Sequence, residues 1–502
     1  MSHVESLPHP PAAPVSPWWR IADFGMLGLW IAAVAFILPY HEKWADEAQA
    51  WLIARDLDLK TIWFHELRYE GSPGLWHTIL WVAQHVFHAR YDSIGYIGVA
   101  GATAGVAVLI LKAPFPRYIR WPLAFTYFMV YQYAVIARPY TLMPLLAFAA
   151  ALLFKDRDHP ERMTIVLVLL ANLSLHGTIL AGCLGFVHLL DAIRVWSTLD
   201  TAVKKRYWIS IAMMLATFVF VVLIVKPTPD IEEFVVKKQF AQLPAEARAQ
   251  MHIPTVLTKL GTVISGGLLD WLAPSVVFLL VAGGWCFVRG RFLVFVLPVG
   301  TMIALYAVIH GAAHHQGTVF IASIASLWIA WPTEEERTAF RLRDRQAMQA
   351  VTVALLCLCA VNIWDSAVVY KHEYLFPYSG AEDAAKYLKS VGADRQPMFG
   401  FLFGMVGVQA YFDHNILANV PTAYFHHGLP LNGIYLKIDD LRQVKPEYVV
   451  AYSQEPDLMV GLGLPQLTAD GYEMVHFSDG YYLYKQGVYE REVYFILRRV
   501  QH

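Results

Sequence analysis

The chain has 502 residues, 57% of them hydrophobic and only 16% charged, against roughly 25% charged in an average soluble domain. Its net charge of −1 supplies no global basic field to attract nucleic acid, and its apolar content excludes disorder over most of the length. A mean hydropathy of +0.42 places it among polytopic membrane proteins. Cys183, Cys286, Cys357 and Cys359 all fall inside apolar runs, so neither a disulfide framework nor a CxxC metal or redox motif is expected.

In chain order, residues 1–20, with LPHPPAAPVSP, read as a flexible cytoplasmic leader. Crossing the hydrocarbon takes about 20 apolar residues. Apolar runs near 21–40, 93–111, 121–137, 139–154, 163–175, 178–196, 208–225, 271–288, 292–309, 317–332 and 348–368 predict about eleven transmembrane helices within 21–368. The stretch 74–88, GLWHTILWVAQHVFH, is shorter and carries His77, Gln84 and His85; it reads as a juxtamembrane or re-entrant helix.

With eleven spans, the connectors 112–120, 155–162, 197–207, 289–291 and 333–347 share one side and hold nearly all the loop lysines and arginines. The short connectors on the other side hold only Arg138. The positive-inside rule then makes the N-terminus cytoplasmic and places the C-terminus outside. Three segments on the outer side are large: 41–92, 226–270 with a surface helix near 255–268, and the tail 369–502. In the tail, Ser379-Gly380-Ala381-Glu382 reads as a capping box that opens a helix. Strand-like runs follow at 397–403, 448–452, 473–477, 481–485 and 492–497. A small α/β domain is expected there on the outer side, which is the periplasm if the protein is bacterial.

Unusual polar residues collect on this outer side. Asp46-Glu47 follows the first span, and two readings stand side by side: a helix cap with a favourable dipole charge, or catalytic carboxylates. Glu70 opens a breaker cluster, Glu70-Gly71-Ser72-Pro73-Gly74, which a plain turn also explains. Arg138 either snorkels or forks a phosphate. His310, His314 and His315 share the loop before the 317–332 run, and His176 sits between two runs. With no acidic or cysteine neighbour in that histidine loop, metal binding is the minor reading. An acidic pair, an arginine and histidines at one membrane surface suit a transferase acting on a lipid-linked phosphate.

The segments ADEAQAWLIARDL, YEGSPGLWHTILW, ARPYTLMPLLAF, HHQGTVFIASIASLWIAW and PYSGAEDAAKYL together resemble the bacterial polytopic, lipid-dependent glycosyltransferases of the GT-C class. That class includes protein O-mannosyltransferases and lipid A aminoarabinose transferases. The resemblance spans nearly the whole chain on short motifs, the acidic pair being the most specific.

It implies an α-helical inner-membrane enzyme that moves a sugar from a polyprenyl-phosphate donor to a glycan, lipid or protein acceptor, with inversion. Asp46 would be the base, with Glu47 beside it. The Lys-Pro pair of the aminoarabinose transferases is Ser72-Pro73 here, so phosphate binding would pass to Arg138, His314 and His315. Glu70, His176 and His310 are further candidates. No nucleotide-sugar loop is present, no cofactor is named, and a divalent metal is left open. A transporter or flippase of lipid-linked glycans is the competing reading. Transporters usually place ionisable groups at mid-membrane, whereas these span centres are nearly free of charge.

Overall fold

The computed structural model describes residues 17–228, 256–308, 313–401, 403–425, 438–453, 464–487 and 489–500. Among them, five helices are long and apolar enough to cross a membrane: Trp18–Tyr40, Tyr91–Lys112, Leu175–Arg194, Thr201–Val225 and Leu342–Leu375. Val256–Gly267 and Leu272–Val288 pass the same test as a pair but are bent by 72°, which makes up to six. The expected surface helix near 255–268 is thus one arm of this bent pair. Other apolar runs give Met143–Leu153, Pro160–Ala171, Phe292–Val308 and Ala313–Ala330. Leu75–His85 is a separate helix of 11 residues.

The run 121–137 departs from expectation. Helix Arg117–Ala124 contains Pro122 and stops there; a π turn, Phe128–Gln132, and further turns follow. Nearly every residue from Tyr127 to Ala137 is buried. The run is apolar because protein surrounds it, and an apolar run reads the same whether its neighbour is lipid or protein. Ala313–Ala330 is likewise buried on all sides, as a helix in the middle of a bundle must be.

The broken segment still travels the length of the first span. Arg117 and Arg120 pair with Asp23 near the start of that helix, at 3.0 and 2.9 Å. Arg138 pairs with Asp46 beyond its other end at 2.8 Å. The far end of Leu175–Arg194 carries a similar cationic knot, with Asp191 held by Arg157 at 2.6 Å and Arg291 at 2.9 Å. Leu342–Leu375, with 34 residues, is about 51 Å long at 1.5 Å per residue. It overreaches the roughly 30 Å hydrocarbon and brings Glu373 to His41, just past the first span.

The tail holds a four-stranded sheet in the order β1-β2-β4-β3. Here β1 is Met398–Phe401, β2 Tyr448–Ser453, β3 Tyr472–Leu483 and β4 Tyr489–Arg499. The first pair is parallel and the other two antiparallel, so the expected runs 473–477 and 481–485 are one strand with a bulge at Met474/His476. Alternation sorts the faces: Val450, Tyr452 and Ile496 meet Ala384, Ala385 and Leu388 of helix Ala381–Ser390, while Val449, Ala451 and Leu497 pack on the other side.

The expected capping box is not formed. Gly380 is the N-cap, and the Ser379 hydroxyl accepts from Ala381 N–H while bonding the buried Glu492 carboxylate. The sheet also reaches into the helical bundle. Tyr378, Tyr482 and Tyr484 belong to the membrane-helix core, and buried Lys485 contacts Asp270 at 2.8 Å.

Candidate functional site

Helix Ala45–Asp56 starts at Trp44, whose extended backbone lets Glu47, at the third helical position, accept Trp44 N–H at 3.3 Å. Glu47 is fully buried and points into the protein. It also accepts Ala137 N–H at 2.8 Å and meets His41 Nε2 at 3.0 Å, while His41 Nδ1 meets Glu373 at 2.6 Å and the Tyr131 hydroxyl donates to Glu373 at 2.5 Å. Burial opposes the imidazolium charge, but the two carboxylates outweigh it and raise the His41 pKa to about 10. Burial likewise opposes ionisation of Glu47, and His41 overturns it and lowers the pKa. Glu47 therefore closes a structural ion network and does not face the site as a second catalytic carboxylate.

Asp46, Gln49 and Ala50 follow at the three- and four-residue helical spacing and line one cavity of about 610 Å³. Asp46 is not the helix cap, since that place belongs to Trp44. Its carboxylate meets Arg138 at 2.8 Å. The guanidinium also lies 5.7 Å from the ring centres of both Trp44 and Tyr140, a cation–π setting that fixes its plane. Burial disfavours its charge, but Asp46 prevails and the pKa rises, so Arg138 stays protonated. Gln49 donates to Glu70 Oε1 at 2.8 Å and accepts Phe425 N–H at 2.9 Å, tying the first loop to the tail.

Imidazoles also line the cavity. His176 follows the Ser174 cap of Leu175–Arg194, and its Nδ1 is 3.1 Å from the Tyr140 hydroxyl. His314 and His315 open Ala313–Ala330 with their Nε2 atoms 3.0 Å apart. One of those nitrogens donates and the other accepts, so at most one ring of the pair is doubly protonated. Their place is set by Gly317, where a side chain would lie 2.6 Å from the Tyr133 hydroxyl. The same hydroxyl donates to the His314 carbonyl at 3.0 Å.

Asp46, Glu70, Arg138, His176, His314 and His315 thus converge on one cavity, with Ser72 in its wall. His310 lies outside the described residues. Gln49, Trp76, His77 and Tyr140 also line the cavity and were not singled out from sequence, although Gln49 follows Asp46 by one helical turn. Burial holds His77 below the ordinary imidazole range despite Glu70 nearby, so it is a neutral wall group. Among the described residues, no group of three or more His, Cys, Asp or Glu is placed to hold a metal ion. The cavity offers one carboxylate paired to a guanidinium, a second carboxylate on an amide, and hydrogen-bonding imidazole rings. That set can accept a proton from a hydroxyl and stabilise an anion opposite.

No protein-family model matches the sequence, and no curated protein matches it. Among solved structures, ArnT from Cupriavidus metallidurans bound to undecaprenyl phosphate is similar, with a TM-score of 0.54 and 12% identity over 96% of this chain and 98% of that one. The apo state of the same protein gives 0.53 and 12% over 95% and 98%. The two proteins share a fold along nearly their whole lengths. The chain is an integral membrane protein of that architecture, with apolar helices and a small C-terminal sheet.

Proposed function

We propose that this protein transfers a sugar from a polyprenyl-phosphate donor to an acceptor at the periplasmic face of the bacterial inner membrane, with inversion. The observation that carries the reading is Asp46, a carboxylate on the cavity wall held 2.8 Å from Arg138. The shared fold with a protein solved with undecaprenyl phosphate supports the donor class. Asp46 accepts the proton of the acceptor hydroxyl, whose oxygen attacks the anomeric carbon from the face opposite the phosphate. The bond from that carbon to the phosphate oxygen breaks, and polyprenyl phosphate leaves with the bonding pair. Arg138 orients Asp46 and presents its remaining N–H groups to the phosphate, with His176, His314 and His315 lining the same cavity. A preorganised cation matters most where negative charge develops.

Purified protein in vesicles, supplied with polyprenyl-phosphate sugars and an envelope extract as acceptor source, should release sugar-free polyprenyl phosphate, and Asp46→Asn should nearly abolish this. Movement of the intact lipid-linked sugar across the bilayer, with no bond broken, would instead identify a transporter or flippase and overturn the transfer reading.

A further inference from the structure

A second cavity, of about 390 Å³, lies across helix Ala45–Asp56 from the first. Trp51 and Arg55 replace Asp46, Gln49 and Ala50 as the helix's contribution. The other walls come from the connector 85–92 and from the tail through Lys389 and residues 410–413. Arg55 is already spent on Asp56 at 2.6 Å and on the Phe412 carbonyl. Arg90, Asp92 and Asp413 form no ion pair among the described residues. Lys389 is tethered over the Phe412 ring at 5.1 Å. In the floor, the Tyr91 hydroxyl is buried, at 6% residue exposure, with no hydrogen-bond partner among the described residues. His88 adopts a left-handed backbone, φ 53°, which is uncommon for a non-glycine residue.

Two cations and two carboxylates with no ion pair among the described residues, beside an unsatisfied hydroxyl, match a zwitterion better than a simple anion. The rim says where that zwitterion comes from. Between His85 and His88 stand Val86 and Phe87, 57% and 74% exposed, and the span Tyr91–Lys112 begins at the cavity floor. The polar walls therefore sit at the end of a membrane-spanning helix, with exposed apolar side chains beside them.

We propose that this cavity binds the headgroup of a zwitterionic phospholipid bearing a primary ammonium. Arg90, Lys389 and the Tyr91 hydroxyl receive the phosphate, and Asp92 and Asp413 the ammonium. Such a lipid would join the tail to the membrane helices without entering the Asp46 cavity, and the proposal stands apart from the transfer reaction.

Native mass spectrometry of the purified full chain, offered equal amounts of phosphatidylethanolamine, phosphatidylcholine and phosphatidylglycerol with identical acyl chains, tests it. Phosphatidylethanolamine should be retained above both others. Arg90→Gln with Lys389→Gln should lower that retention about tenfold, with the far-ultraviolet spectrum unchanged because both side chains are exposed. Asp92→Asn with Asp413→Asn should bring phosphatidylethanolamine level with phosphatidylglycerol. Equal retention of all three lipids by the unmodified protein, or preference for phosphatidylglycerol, overturns the proposal. So does thermal stabilisation by inorganic phosphate equal to that by phosphatidylethanolamine, which would assign the cavity to free phosphate.

Discussion

Asp46 and Arg138, from connectors far apart in the chain, meet at 2.8 Å on the wall of the larger cavity. The pairing separates two roles that sequence alone leaves entangled at Asp46. Because Trp44 and Glu47 cap the helix between them, Asp46→Asn should keep the fold, with a lowered thermal midpoint from the lost charge opposite Arg138. Loss of a general base typically slows a reaction about 10²–10⁴-fold, so the expected product is a well-folded, nearly inactive protein. Wild-type turnover by the purified variant in a polyprenyl-phosphate release assay would remove Asp46 from the mechanism.

In the proposed reaction Arg138 serves both Asp46 and the donor phosphate, so its substitutions should separate. Lysine keeps a point charge but loses the planar fork stacked between Trp44 and Tyr140. Glutamine loses the charge and leaves Asp46 without its cation. Donor KM should therefore rise more in Arg138→Gln than in Arg138→Lys, with the thermal midpoint lowered in both. Equal donor KM in Arg138→Gln and the unmodified protein would show an arginine that serves stability alone.

Glu47, next to Asp46 in sequence, should behave in the opposite way. It is fully buried and shares His41 with Glu373, and breaking a buried ion network by removing one partner costs about 3–5 kcal/mol. Glu47→Gln should lower folded yield and thermal midpoint before it alters turnover per folded molecule. The same network predicts a pH response. The His41 pKa is raised from 6.5 to about 10, so its stabilising charge is complete below about 6.5 and is lost as pH climbs towards 10. Glu47 is shifted down, so its contribution is present above its ordinary value of 4.5 and fails only in acid. Stability should fall across this alkaline window by up to about 1.4 kcal/mol per pH unit. His41→Gln should start less stable and show a flatter slope. Parallel slopes in the two proteins would exclude His41 as the titrating group.

These contrasts mark what the residues disclose in order and what they do not. Asp46, Arg138 and the His314–His315 pair stand out because polar side chains at the ends of apolar runs are unusual, and the cavity gathers them. Glu47 shares that signal but follows a different direction around the helix. Glu373, which shares His41 with it, lies 332 residues from that histidine, a contact that no local pattern encodes. Gln49 was readable in principle from its spacing after Asp46. The break in 121–137 was not, because burial by protein and burial by lipid select the same residues. In the tail, strand alternation located the sheet, whereas Ser379 looked like a cap and instead bonds Glu492.

The last prediction concerns how the sheet is fastened to the bundle. Lys485, in the turn between β3 and β4, is buried with its ammonium 2.8 Å from Asp270 and 3.8 Å from Asp365. It also donates to the carbonyls of Leu268 at 2.7 Å and Gly266 at 3.3 Å, where the bent helix pair turns. Asn362 donates to the same Leu268 carbonyl at 2.8 Å. Gly266 packs directly on Gln316, the residue after His315. The tail thus reaches the histidine wall through one turn of chain. Burial lowers the Lys485 pKa, with Asp270 acting against it, so the ammonium depends on its carboxylates as much as they depend on it. Lys485→Met removes the cation and leaves Asp270 and Asp365 buried side by side, at a cost of about 3–5 kcal/mol. Adding Asp270→Asn should recover a substantial part of that loss, because the uncompensated charge is then gone. Thermal midpoints of the single and double variants test this directly: a double variant no more stable than Lys485→Met would mean that Lys485 acts through packing and its carbonyl bonds, not through Asp270.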